Sequence, residues 1–308
     1  MRSIYVLGHI LIESIVFPDG QVLEPVLGSP AAYSSVALAC LGSRAVLCTQ
    51  AGPDVPESFW ETFREVGVDL AGVEVSDAGS TRNRLIYQTL EKKRVEYLHK
   101  AQAIRARDVP TSVESDAVFY VCPMDHEIDP REVASLASGG RVVVDLGGYG
   151  GATSATHPGG EIGALERTHA MLAHCSLVKA SVEDCTYIYG RVDGESPELA
   201  YAERLLAAGS RLVVLTLGER GALVTDGRSS ARFAPFRCDV RDTTGAGDTF
   251  AAGMLHGWLE KPSEWEYFIQ FGQATASYVV QRSGGVSAER MPSRELVLER
   301  LRKEGIDV

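Results

Sequence analysis

Short β-rich apolar runs alternate with amphipathic segments of helix length along most of this chain, and that alternation restricts the folds open to it. Strands are expected at Ile4–Leu7, Ala45–Thr49, Ala117–Val121, Val142–Asp145, Leu212–Leu217 and Ala222–Thr225. Helices are expected at Ala31–Leu41, Glu57–Val66, Pro130–Ala137, Ile162–Ala173, Pro197–Ala208, Asp248–Leu259, Glu264–Gln281 and Arg294–Lys303. Two helix starts carry local signals: Ser196 caps ahead of Pro197, and Ser263 with Glu266 reads as a capping box. Continuous apolar strands that alternate with helices predict an α/β fold, a doubly wound, mostly parallel sheet with helices on both faces. With 308 residues, 45% of them hydrophobic, the chain can bury one large core, so residues 1–308 are read as one domain.

Two segments break the rhythm. Ile10–Leu27 and Thr81–Ile104 read as antiparallel strands with polar turns. In the second, RLIYQTL and RVEYLHK flank Glu91-Lys92-Lys93, which reads as a hairpin turn. Neither segment fits a βα unit. Together, residues 10–27 and 81–104 are expected to form a small β-sheet that projects from the main domain. Such a sheet would serve as a lid over a site, as a homodimer surface, or as both.

The formal net charge is −11, which repels phosphodiester backbones and argues against a nucleic-acid partner. Cys40, Cys48, Cys122, Cys175, Cys185 and Cys238 form no CxxC pair. They read as reduced thiols of a cytoplasmic protein, not as a disulfide frame or zinc site. The N-terminus enters a strand-like run with no signal-peptide pattern. No apolar run approaches the roughly 18 residues of a membrane span.

The chemistry concentrates in Asp242-Thr243-Thr244-Gly245-Ala246-Gly247-Asp248-Thr249-Phe250, followed by the helical run AAGMLHGWL. Two glycines around a small residue let successive backbone N–H groups converge without Cβ obstruction. A helix starting there adds its positive dipole end, which makes an anion site. Asp248 falls in the first turn of that helix. A carboxylate beside an anion hole can accept a proton from an alcohol while the amides stabilise charge on a moving phosphoryl group. A short GxGD alone is more often a glycine-rich turn with an acidic helix cap. There is no Gx4GK[ST] loop and no HRD or DFG pair, and Gly148-Tyr149-Gly150 is only a fragment of a dinucleotide fingerprint.

The string DTTGAGDTFAAG resembles the signature of the ribokinase-like (PfkB) carbohydrate kinases, and the resemblance extends along nearly the whole chain. Gly28-Ser29-Pro30-Ala31-Ala32-Tyr33 with SSVALACLGS and Gly52-Pro53-Asp54 is similar to the family's N-terminal glycine motif, which lies against the acceptor. Leu215-Thr216-Leu217-Gly218-Glu219-Arg220-Gly221-Ala222 resembles the strand–turn–strand that contacts ATP. Gly272-Gln273-Ala274-Thr275-Ala276, ending at Gly284-Gly285, resembles the helix and turn beside adenine. The resemblance implies a doubly wound α/β sandwich with a small β lid. It makes Asp248 the general base and Gly245, Ala246 and Gly247 the anion hole, flanked by Thr244. Thr216, Gly218, Gly221 and Gln273 would line the nucleotide. Mg²⁺ would travel with ATP. Many members also bind a monovalent cation, and Asp242 with the Gly284–Ser287 loop are the matching positions, so K⁺ is an implied ligand.

The sequence departs from the family at three places. The usual Asn-x-x-Glu of the metal–phosphate network reads Ser181-Val182-Glu183-Asp184, where Ser181 and Asp184 would substitute. The early acceptor-gripping aspartate is Glu13. Tyr33 stands near the place of a common asparagine. The strings LGHILIES, VCPMDHEI and VVVDLGGYG resemble the inositol-kinase-like branch, which implies a polyol or sugar acceptor. Glu13, Gly28, Ser29, Arg82, Asn83 and Asp125 are its candidate contacts. His126 is read either as a strand-end ligand or as a loop residue. A nucleoside acceptor and a catalytically weak sugar sensor remain alternatives.

Overall fold

The computed structural model describes residues 2–87, 93–110, 116–155 and 163–308. Its organising strand is β1 (Ser3–Leu7), whose side chains alternate between two cores. Ile4 and Val6 point into one hydrophobic cluster, Tyr5 and Leu7 into the other. A strand buried on both faces needs helices on both sides, and the chain supplies them. The first core takes α1 (Pro30–Cys40), α2 (Glu57–Val66), α7 (Ala246–Glu260) and α8 (Trp265–Val279). The second takes α3 (Pro130–Ala137), α4 (Ala164–Leu172), α5 (Val182–Tyr189) and α6 (Pro197–Ala207). Helix α9 (Arg294–Lys303) packs outside α8.

The remaining strands of the main sheet are β4 (Arg44–Ala51), β5 (Asp69–Val75), β8 (Val118–Val121), β9 (Arg141–Asp145), β10 (Leu177–Ser181), β11 (Val213–Thr216), β12 (Ala222–Thr225) and β13 (Ser230–Phe233). They make a nine-stranded sheet in the order β13-β12-β11-β10-β9-β8-β1-β4-β5. All pairings are parallel except β11–β12 and β12–β13. The winding runs outward from β1 in both directions, which is the doubly wound topology expected.

The interrupting segments form a second sheet from β2 (Leu11–Val16), β3 (Val22–Gly28), β6 (Arg82–Tyr87) and β7 (Lys93–His99), in the order β3-β2-β6-β7. Each hairpin is antiparallel, and the two join through a parallel β2–β6 pair. Ile15, Val26 and Leu85 give this sheet a small core of its own. The turn read at Glu91-Lys92-Lys93 begins outside the described residues.

The structure corrects the sequence reading locally. β5, β10, β13 and α5 were not anticipated. β13 is a short edge strand of alternating exposure, and β10 runs into α5 with no loop, Ser181 serving as the last strand residue and the helix cap. The capping box at Ser263 and Glu266 does not form: α8 is capped by Glu264, whose own amide closes a turn on the Lys261 carbonyl. Ser196 caps α6 by position only, because its backbone at φ −140°, ψ 65° leaves no hydroxyl bond to the helix amides. All six cysteines are free thiols. Among the described residues no helix is long and apolar enough to cross a membrane.

Candidate active site

In a doubly wound sheet, ligands bind beyond the carboxyl ends of the strands where the winding reverses. Here that rim carries His9 after β1, Asp125 after β8, Asp145 closing β9, Lys179 and Ser181 in β10, and Thr216 closing β11. The N-terminus of α7 meets the same rim.

Gly245 caps α7 with φ +81°, a left-handed conformation that side chains resist. A Cβ there would also lie 2.4 Å from the Tyr33 ring, so the position excludes a side chain twice over. Thr249 fixes this cap through its amide (2.9 Å) and hydroxyl (2.7 Å), both donating to the Gly245 carbonyl. The first amides of a helix have no partner within it. The Ala246 amide closes a turn on the Thr243 carbonyl at 3.1 Å, whereas among the described residues the Gly245 and Gly247 amides meet no acceptor. Asp248 lies in this first turn, half-buried, with its carbonyl held by the Ser34 hydroxyl at 3.2 Å.

Beneath the turn is a buried cation that the sequence reading passed over. Lys179 is 4% exposed and pairs with Asp145 at 2.7 Å. A Cβ on Gly247 would stand 3.3 Å from the Lys179 ammonium, which places that charge against the helix N-terminus. Burial favours the neutral amine, but Asp145, Asp184 and Asp248 outweigh it and raise the Lys179 pKa above its ordinary value. The ammonium therefore stays charged. Asp145 also accepts from the Gly147 amide at 3.0 Å and the Tyr120 hydroxyl at 3.4 Å. The signal for Lys179 was a lone charge inside the apolar run LVKAS.

Ser181 and Asp184 face each other as a capping box for α5: the Asp184 amide donates to the Ser181 hydroxyl at 2.9 Å, and the Ser181 amide to the Asp184 carboxylate at 2.7 Å. The second Asp184 oxygen accepts from the Ala152 amide at 2.8 Å. Asp242 is similarly engaged, accepting from the Thr244 amide at 2.9 Å and the Gly284 amide at 3.2 Å. Among the described residues no three His, Cys, Asp or Glu side chains group as a metal site. Thr216 ends β11, and Gly218 and Gly221 form the tight turn into β12. The Gln273 amide nitrogen donates to the Phe233 carbonyl at 3.0 Å, which ties α8 to β13.

The small sheet brings a second group together. Parallel pairing of β2 with β6 sets Glu13 beside Asn83, and antiparallel pairing of β6 with β7 sets Asn83 beside Tyr97. Glu13 and Asn83 are 8% and 1% exposed. Both polar atoms of the Asn83 amide are buried and meet no partner among the described residues. Burial chiefly, then Glu127, Asp125 and Glu13, raise the Tyr97 phenol above its ordinary pKa, so its hydroxyl remains a donor; it reaches the Thr153 carbonyl at 3.1 Å. Gly28 lies against Glu13, where a Cβ would meet the carboxylate at 3.2 Å. Ser29 caps α1, its hydroxyl accepting from the Ala32 amide at 3.1 Å, with φ 112°. A non-glycine residue in such a conformation costs about 1–3 kcal/mol and is found most at functional sites. Asp125 is buried, paired with Lys100 and bonded by the Ala155 amide at 3.0 Å. Arg82 is spent on Asp54 at 2.9 Å, with its side chain 43% exposed. His126 lies in the turn after β8, its ring edge-on to Tyr149.

Comparison with known proteins agrees with this architecture. The chain is 27% identical to the cytidine kinase of Thermococcus kodakarensis over 292 residues, covering 92% of this chain and 98% of that one. A pyrophosphate-dependent kinase of the ribokinase family, solved with a pyrophosphate analogue and myo-inositol, superposes with a TM-score of 0.76 at 17% identity, covering 94% of this chain and 98% of that one. A double mutant of Vibrio cholerae fructokinase, solved with fructose, ADP and a potassium ion, superposes at 0.78 and 19% identity, covering 97% and 98%. The pfkB family carbohydrate kinase profile matches residues 1–292, and the chain is a kinase of that family.

Proposed function

We propose that this kinase transfers the γ-phosphoryl group of ATP to a hydroxyl of a small sugar or polyol, with Asp248 as the general base. The observation that carries this reading is the juxtaposition at α7: a carboxylate in the first helical turn, Gly245 and Gly247 amides beside it that meet no acceptor among the described residues, and the buried Lys179 charge beneath. Asp248 takes the proton of the attacking hydroxyl. The Gly245 and Gly247 amides and the Lys179 ammonium hold the charge that gathers on the transferred group, in a site that already points its dipoles there. The Ala246 amide, bound to Thr243, shapes the turn rather than gripping the phosphoryl group.

Thr216, Gly218 and Gly221 at the end of β11 would support the nucleotide, with Thr244 at the phosphate end. Gln273 acts from behind, by fixing α8 against β13. Each oxygen of Asp184 and Asp242 accepts one backbone amide and keeps a second lone pair, through which either carboxylate would hold magnesium or its water. The other ligands of metal entering with the nucleotide would be phosphate oxygens and water.

On the acceptor side, Glu13 and the Asn83 amide, which meets no partner among the described residues, offer adjacent acceptor and donor groups, as vicinal hydroxyls require. Gly28 keeps the wall beside Glu13 low, and Ser29 and Asp125 border it. The Tyr97–Thr153 and Lys100–Asp125 contacts latch the small sheet over this space, as a lid would be. Val22, Leu23 and Leu98 on that sheet are 55%, 48% and 50% exposed, apolar area that a second copy would cover in a homodimer. Sedimentation velocity measures that association directly. The unpaired thiols suit a cytoplasmic setting.

A nucleoside acceptor is the second reading, favoured by the likeness to a cytidine kinase along nearly the full chain. An ADP-release assay across myo-inositol, ribose, fructose, cytidine and adenosine separates the two. Turnover confined to a sugar or polyol supports the first, and turnover confined to nucleosides the second. ATP binding without turnover on any acceptor of a broad panel contradicts both.

A further inference from the structure

Arg290 is 5% exposed, and its guanidinium turns inward beneath the 242–247 loop. One terminal nitrogen donates to the carbonyls of Gly284 and, at 3.0 Å, Gly285, and to the Tyr33 hydroxyl at 3.0 Å. The other donates to the carbonyls of Arg282 at 2.8 Å, Val279 at 3.2 Å and Thr244 at 3.3 Å. Five backbone carbonyls from the 242–247 loop, the end of α8 and the loop after it therefore aim at one point. A cage of backbone carbonyls is how proteins replace the hydration shell of a monovalent metal ion. In this chain the point is filled by a side chain.

The Vibrio cholerae fructokinase structure holds a potassium ion, and Asp242 with the Gly284–Ser287 loop are where the sequence led us to expect one here. The residues do not fit it. All five carbonyls converge on the Arg290 guanidinium, which occupies the point where the ion would sit. A second unit charge beside a buried guanidinium would meet strong repulsion where water cannot screen it.

The position of this cation has a consequence for the phosphate end. The peptide joining Thr244 to Gly245 is planar and trans, so its carbonyl and its N–H point in opposite directions. A charge that holds the Thr244 carbonyl from below thereby fixes the direction of the Gly245 N–H above. The same guanidinium braces Tyr33, whose ring abuts Gly245, with the guanidinium carbon 5.7 Å from the ring centre. One side chain thus clamps the loop at its carbonyl and at its packing partner.

We propose that Arg290 is a tethered cation that positions the 242–247 loop, so that the enzyme works without potassium. The proposal rests on the reading that this loop holds the transferred phosphoryl group.

The test compares wild type with Arg290→Met in KCl, NaCl and choline chloride at one ionic strength, following both turnover and thermal unfolding. Wild-type kcat/KM should stay within about twofold across the salts, since only screening is common to all three and it is held constant. Arg290→Met should lose about 10²-fold in choline, the cost of a misaimed amide donor. It should recover about tenfold or more in K⁺ or in added methylguanidinium, the ions that would re-enter the cage. Its unfolding midpoint should rise by about 3 °C or more with K⁺ while the wild-type midpoint does not move. Potassium stimulation of wild type by tenfold, or a variant whose rate and midpoint ignore every cation, overturns the proposal. If the variant does not fold, the wild-type salt series decides. If no acceptor is turned over, the midpoints decide, and the kinase reading fails separately.

Discussion

The two ends of the proposed site are built by different means. At the α7 end, the groups proposed to handle the phosphoryl group are backbone amides of one contiguous turn, with Asp248 three residues after the Gly245 cap and buried charges at Lys179 and Arg290 beneath. At the small-sheet end, the proposed acceptor contacts are side chains from separate strands, and Glu13 and Asn83 meet only because β2 and β6 pair in register. A backbone device tolerates little change in shape. A side-chain device can be re-specified one residue at a time. On the proposed reading, the difference assigns the reaction type to the first end and the choice of acceptor to the second.

The largest expected effect falls on the charge beneath α7. Lys179→Met removes one partner of a buried pair and strands Asp145, which should cost about 3–5 kcal/mol in urea unfolding. It should also lower kcat in whatever folds, with the acceptor KM little changed. Adding Asp145→Asn should restore part of the stability and none of the rate. Recovery of both would place Lys179 outside the chemistry and weaken the comparison.

At its far end, α7 carries His256, 3% exposed and hydrogen-bonded to Ser43 at 2.8 Å. Burial chiefly holds its pKa down, from 6.5 to about 4, against the pull of Glu260. The folded-state value is the depressed one, so protonation favours the unfolded chain. Stability is full above pH 6.5 and falls as pH drops toward 4. Between pH 7 and pH 5 the loss should be about 2 kcal/mol, and His256→Gln should flatten that slope. An unchanged slope would show that α7 is anchored elsewhere.

Smaller effects belong to the small-sheet end. Asn83→Leu should raise the acceptor KM by about tenfold, the value of one lost hydrogen-bonding partner, and leave kcat nearly intact. Because the Asn83 amide is buried and meets no partner among the described residues, the same change should raise the stability of the free protein by about 1 kcal/mol. A drop in kcat with no change in KM would erase the proposed division of labour. The smallest effect is dynamic: acceptor binding should slow amide exchange of β6 and β7 by a few-fold, and unchanged exchange would count against a lid.

This contrast also explains what was legible in the sequence. The string from Asp242 to Phe250 could be read because glycines and a helix start define an anion site without help from distant residues. The alternation of strands and helices gave the main sheet, since both periods are local. Arg290 could not be read: it ends a single 3-10 turn, Ala288–Arg290, that no local signal marks, and only the fold turns it under Thr244. Lys179 was missed with β10, whose charge inside an apolar run hid a strand instead of marking a site. Ser181 and Asp184 have the spacing of a capping box and form one, a simpler use than the phosphate network weighed for them. Arg82 is adjacent to Asn83 in sequence, yet it is drawn to Asp54 at the surface while Asn83 is buried.

The central claim is that the Asp248 carboxylate takes the acceptor proton while the neighbouring amides hold the phosphoryl group. The most direct measurement is the turnover of Asp248→Asn on the best acceptor at saturating ATP, with ATP affinity measured by calorimetry on the same preparation. The account predicts a fall in kcat of about 10²–10⁴-fold with ATP affinity nearly unchanged. Near-normal turnover by that variant would contradict it.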